Sequence, residues 1–134
     1  MQQLIIDTNI YAAFKRNDPV VLGILRQAET IAVNTVVLGE LLAGFKGGNK
    51  EALNRKELDL FLDTPRVQFC AVEETTAEFF ALIFNNLKQA GKPIPVNDIW
   101  IAASAMQHGW TLLTLDSHFS HITGLSLHPA LERK

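Results

Sequence analysis

Short apolar runs that do not alternate with polar residues set the strongest limit on how this chain can fold. "LII" within 3–7, "IAVN" at 31–34, "VQFCAV" at 67–72 and "TLLTL" at 111–115 are each only a few residues long. A strand with one wet face alternates apolar and polar side chains, whereas a strand covered on both faces does not need to. Longer segments with helical signals separate these runs. Strands alternating with helices predict a mainly parallel sheet covered by helices, an α/β architecture.

The intervening segments carry helix boundaries. Residues 9–16 suit a short helix. Asp18 can cap the next one, with Pro19 at its first position. Thr35 can cap a helix over "VVLGELLAGF", stopped by "GG" at 47–48, and Asn49 one over "KEALNRKELDLFLD" before Pro65. "TTAEFFALIFNNLKQAG" reads as a helix in which Thr75 and Glu78 have capping-box spacing and Gly91 is the stop. "KPIPV" is a loop, "NDIWIAASAMQHG" a helix closed by Gly109, "SHFSHI" a single turn and "LSLH" a short fifth strand.

The chain of 134 residues predicts one domain, residues 1–134. No segment approaches the roughly 18 apolar residues of a membrane span, and "MQQLIID" is not a signal sequence. One cysteine, Cys70, excludes an internal disulfide and reads as a small buried apolar residue. A reducing cytoplasm is the expected compartment. The net charge of −2, from 12 basic and 14 acidic residues, lacks the basic excess common in nucleic-acid binders.

The placing of four acids changes that picture. Asp7 ends the first strand and Asp116 directly follows the strand "TLLTL". Asp98 opens the helix "IWIAASAMQHG", and Glu40 interrupts the apolar helix "VVLGELLAGF". Ligands of open α/β sheets bind at the carboxyl ends of strands, so one pocket can hold all four. Two carboxylates about 4 Å apart repel by roughly 4 kcal/mol at an effective dielectric of about 20. Four together need compensation, and no lysine adjoins any of them in sequence. A divalent cation supplies it, and all-oxygen ligands suit Mg²⁺ or Mn²⁺ rather than zinc. Such a cation points to phosphate chemistry.

"IIDTNIY", "VVLGELLAGF" and "PIPVNDIWIAASAMQHGWTLLTLDSHFSHITGLSL" together resemble the PIN-domain ribonucleases, and more specifically the VapC-type toxins of type II toxin–antitoxin pairs. "DTN" alone is weak, but "DTN", "GEL", "NDIWIAA" and "TLDSHF" in this order form a specific set. The resemblance implies a three-layer α/β/α sandwich around a mainly parallel sheet. It implies metal-dependent endoribonuclease activity, a hydrolase in which water attacks in line and leaves a 5′-phosphate and a 3′-hydroxyl. By the same resemblance Asp7 and Asp98 are direct ligands of Mg²⁺ or Mn²⁺. Asp116 helps through the metal or its water, and Glu40 orients or deprotonates the attacking water. Thr8, Asn9, Asn97, Thr114 and Ser117 stand beside these acids in the sequence and are candidates to support them. The implied partners are an RNA substrate, a cognate antitoxin protein and a second copy in a homodimer.

With the four acids set aside and metal-bound, the remaining charge is basic, since 12 Lys and Arg then face ten acids. Lys15, Arg16, Lys46, Lys50, Arg55 and Lys92 are candidates to meet the phosphate backbone. His108, His118, His121 and His128 fit surface or capping roles, with His118 the exception to watch because it follows Asp116 by two residues. Trp100 and Trp110 fit packing roles better than base stacking. The stripe Phe79, Phe80, Ile83, Phe84 and Leu87 has helical spacing and suits the core, any exposed part suiting an antitoxin or dimer contact.

Other functions fit less well. An RNA-processing PIN nuclease without a toxin role would share the site. A non-catalytic RNA- or protein-binding module would not need the complete acidic set. A receiver domain needs a phosphoacceptor aspartate after a central strand and a lysine after the last one, and "VQFCAVEE" and "LSLHPA" supply neither. A DxDxT phosphatase is excluded by "DTN".

Overall fold

The computed structural model describes residues 2–131. In chain order the elements are β1 (Gln3–Ile6), α1 (Thr8–Lys15), α2 (Pro19–Gln27), β2 (Thr30–Asn34), α3 (Thr35–Gly47) and α4 (Glu51–Leu62). They continue with β3 (Val67–Cys70), α5 (Glu74–Ala90), α6 (Val96–His108), β4 (Thr111–Leu113) and a 3₁₀ helix, Ser117–His121. The four strands pair in the order β3-β2-β1-β4, and every pairing is parallel.

This order fixes the layers. From β1 through β2 to β3 the chain steps outward in one direction, then crosses back to place β4 on the other side of β1. Right-handed crossovers put α1 to α4 on one face and α5 and α6 on the other, giving a three-layer α/β/α sandwich. Leu4, Ile5, Ile6, Ile31, Val33, Leu112 and Leu113 are buried at the centre. Each such side chain contributes about 1.5–3 kcal/mol of burial. The direction of travel reverses between β1 and β4, so a crevice opens at the carboxyl ends of these two strands.

Several boundaries differ from the sequence reading. β1 ends at Ile6, because Asp7 turns out of the ladder and its Oδ1 accepts from the Ile10 N–H at 3.0 Å, capping α1. β4 stops at Leu113 and β3 at Cys70. The fifth strand is a single parallel bridge, Leu112 to Leu127. Asn34, not Thr35, caps α3, accepting from the Val37 N–H at 3.0 Å. The Thr35 hydroxyl accepts instead from the Val72 N–H. At α4 the cap position is Lys50 rather than Asn49. At α5 the box shifts two residues upstream, with the Glu73 N–H donating to Thr76 Oγ1 at 3.1 Å. Thr76 is fully buried and donates to Gln107 on α6, so the start of α5 is set by its neighbour helix. Gly91 and Gly109 end α5 and α6 at φ 68°, where a side chain would be strained. Arg66 donates to the carbonyls of Leu25 and Ala28, securing the end of α2 from the strand side. Among the described residues, no helix is long and apolar enough to cross a membrane.

Candidate active site

The crevice between β1 and β4 receives all four acids. Asp7 leaves the end of β1 and is only 5% exposed. Its Oδ1 caps α1 and its Oδ2 accepts from the Thr114 hydroxyl. The Thr114 oxygen in turn accepts from the Asp116 N–H at 3.0 Å. One buried hydroxyl thus ties the acid after β1 to the acid after β4. Asp116 caps the 3₁₀ helix through the His118 N–H at 2.9 Å. Asp98 stands in the first turn of α6, where the helix dipole favours negative charge. Glu40 comes from α3, with Oε1 accepting from Thr8 Oγ1 at 2.7 Å and Oε2 from Asn97 Nδ2 at 3.4 Å.

The electrostatics show how near the acids lie. Burial pushes the Asp7 carboxyl up; hydrogen bonds from Thr114 and Ile10 oppose this, and the charges of Asp116 and Glu40 add to it. Asp98 is pushed up to about 6, first by burial, then by the charges of Asp116, Asp7 and Glu40, against a smaller opposing pull from His118. Asp7 and Asp98 therefore both feel the charges of other acids in the set. A site that holds carboxylates against mutual repulsion is suited to a cation.

The supporting residues divide. Thr8, Asn97 and Thr114 hold acid oxygens, as described above. Asn9 is exposed and lines a groove of about 390 Å³ together with Arg16, Leu115, Asp116 and His118. Ser117 is exposed, and its carbonyl accepts from the Ser120 hydroxyl. His118 takes a larger part than its sequence position indicated. Its Nδ1 lies 2.9 Å from Asp116 Oδ1 and 3.8 Å from Asp98 Oδ2. Ligand atoms of Asp98, Asp116 and His118 all fall within 4.8 Å of one another. The spacing to Asp116 was a signal for the first contact; the contact with Asp98 required the fold.

The other candidates pack elsewhere. Cys70 is buried, its thiol pushed up chiefly by burial, with Sγ 3.3 Å from His108 Nε2. His108 stacks on Trp110, and Trp100 on Phe80. Ile83 and Leu87 join the core, while Phe84 remains 44% exposed. Lys15, Lys46 and Arg55 are engaged by Glu57, Glu51 and Asp59.

Known proteins share this arrangement of sequence and fold. The family model for the PIN domain matches residues 4–125. Ribonuclease VapC2 of Rickettsia felis is 32% identical over 127 residues, 91% of this chain and 93% of that protein. Ribonuclease VapC4 of Mycobacterium tuberculosis is 32% identical over 88 residues, 66% of this chain and 68% of that protein. The crystal structure of VapBC2 from Rickettsia felis bound to a promoter DNA fragment superposes with a TM-score of 0.84 at 27% identity, covering 95% of this chain and 98% of that one. VapBC-1 from nontypeable Haemophilus influenzae superposes at 0.86 with 25% identity, covering 96% and 98%. With the acids converging at the switch point of a parallel sheet and the family match spanning most of its length, this chain belongs to the PIN-domain family.

Proposed function

We propose that this protein is a divalent-cation-dependent endoribonuclease and the toxin of a toxin–antitoxin pair. The observation that carries the reading is the convergence of Asp7, Glu40, Asp98 and Asp116, close enough that the charges of the other three help push the Asp98 carboxyl to about 6. The donor set fits a hard cation. Carboxylate oxygens of Asp98 and Asp116 lie within 4.8 Å of each other and of a His118 nitrogen, and Asp7 is buried beside them. Asp7, Asp98 and Asp116 would hold Mg²⁺ or Mn²⁺. Bound there, the cation supplies charge stabilisation at the phosphoryl oxygens and lowers the pKa of water.

The chain's own residues supply the rest. Thr114 hydrogen-bonds Asp7 and so favours its ionised form. Thr8 and Asn97 fix the Glu40 carboxylate from two sides, leaving it oriented to take a proton. Water oxygen bonds to phosphorus while Glu40 accepts the proton. The bond from phosphorus to the 3′ oxygen breaks, that oxygen takes a proton from solvent and Glu40 returns its own to solvent, giving 5′-phosphate and 3′-hydroxyl ends. The Asp116 hydrogen bond to His118 holds the rim of the site. Residues 1–134 form one domain that acts in the cytoplasm. It pairs with a second copy and is inhibited by a small cognate protein; the likeness to solved VapBC complexes supports a protein partner.

Brief expression followed by sequencing of RNA 5′ ends tests this reading. New 5′-monophosphate ends and growth arrest are expected from the unaltered protein, with both lost in Asp98→Asn. Equal arrest or equal cleavage by the two proteins overturns the assignment.

A further inference from the structure

The groove beside the acids contains one basic side chain, Arg16. Among the described residues, Arg16 enters no ion pair and no side-chain hydrogen bond. Its neighbour Lys15 is held by Glu57 at 3.2 Å, and Lys46 and Arg55 are held by acids of α4. Arg16 instead lines the groove of about 390 Å³ that Asp116 and His118 border, and Asn9 lines it too. Asn9 and Arg16 are seven residues apart, two helical turns, so they share one face of α1 and its end. That face runs about 10 Å away from the acids.

The backbone fixes where Arg16 stands. The Asp18 N–H reaches back to the Ala13 carbonyl at 3.0 Å and the Asn17 N–H to that of Phe14 at 3.0 Å. Asn17 adopts φ 60°, the left-handed conformation that closes a helix end. Arg16 is therefore the last residue before a defined turn. Its guanidinium is always charged, and its fork of donors matches phosphate oxygens. A free arginine two turns from a cation-binding acidic site, in an open groove with an amide on the same wall, has the chemistry of a phosphodiester subsite.

We propose that Arg16, with Asn9, binds a backbone phosphate of single-stranded RNA adjacent to the one that is cut. The proposal rests on the ribonuclease reading and assigns where the strand leaves the acids: along α1 rather than across α5 and α6. Arg16 contributes affinity and register, and the acids perform the chemistry.

Fluorescence anisotropy with a labelled single-stranded RNA of mixed sequence tests it, in Mg²⁺ and in an Asp98→Asn background that keeps the probe intact. Arg16→Ala should weaken binding about tenfold or more. It should also lower the slope of log affinity against log salt by about 0.7. Arg16→Lys should recover part of the affinity, because the charge returns without the fork. Lys56→Ala removes the same charge from exposed α4 and should change neither quantity. Equal losses in Arg16→Ala and Lys56→Ala, or no loss in Arg16→Ala, overturn the subsite. Failure of the unaltered protein to cleave any RNA would instead sink the ribonuclease reading, and the anisotropy series would still decide whether Arg16 meets phosphate. In the active protein, Arg16→Ala should raise KM and leave kcat close to unchanged, unlike changes at the acids.

Discussion

Asp98→Asn should stabilise the metal-free protein while it removes activity. In the fold the Asp98 carboxyl rises from 3.8 to about 6. Below pH 3.8 the group is protonated in both folded and unfolded chains and costs nothing. Between these values the folded chain holds the proton more tightly, so stability falls as pH rises, and above about 6 the full penalty applies. That rise corresponds to about 3 kcal/mol. The side chain is 19% exposed, and water at the rim reduces the penalty to about 2 kcal/mol. Asparagine has nearly the same shape and no charge. Urea unfolding in chelator at pH 8 should therefore give the variant a midpoint about 1 M higher, at a typical slope of about 2 kcal/mol per M. At pH 4 the two midpoints should nearly coincide. Adding Mg²⁺ at pH 8 should stabilise the unaltered protein more than the variant. A variant equal to or less stable than the parent at pH 8 in chelator would refute the argument that burial and the neighbouring acids together penalise the Asp98 charge.

Further substitutions test contacts at the site and in the frame that holds it. Thr114→Val removes the donor to Asp7 and the acceptor of the Asp116 N–H, so it should cost about 1–3 kcal/mol in urea unfolding. The same change raises the Asp7 carboxyl further, and the acidic limb of the pH–activity profile should move to higher pH. Asn34→Ala should cost about 2 kcal/mol, because the buried amide caps α3 and donates to Ser104 on α6 at 3.0 Å; Thr35→Ala, by the same measurement, should cost less. Arg66→Ala should lower the free energy of urea unfolding by about 1.5–3 kcal/mol, since carbonyls at the end of α2 lose a charged donor.

The strands and their parallel sense were legible because burial on both faces is written locally, as in Leu4, Ile5 and Ile6. Their ends were less so. Asp7 and Thr114 read as continuations of strands, yet each turns its side chain to the other, 107 residues away in sequence. Caps failed where two neighbours were both competent. Asn34 and Thr35 can each cap a helix, and the choice is made by Ser104 and Val72, which come from distant segments. The four acids could be picked out because carboxylates at strand ends and inside an apolar helix need a reason. Their partners could not all be ranked from neighbourhood alone: Thr8 and Asn97 grip Glu40, while Ser117 faces solvent. The standing of Arg16 among six basic candidates was equally hidden, because it depends on the fold: α4 pairs with Lys15, Lys46 and Arg55, and Arg16 lines the groove beside Asp116.

Calorimetric titration of Mn²⁺ and Mg²⁺ into the unaltered protein and into Asp7→Asn, Asp98→Asn and Asp116→Asn tests the central claim most directly, that remote acids meet to hold one hard cation. The unaltered protein should bind, and each substitution should weaken binding by tenfold or more while the fold, read by circular dichroism, stays intact. Unchanged cation affinity in all three folded variants would contradict the account.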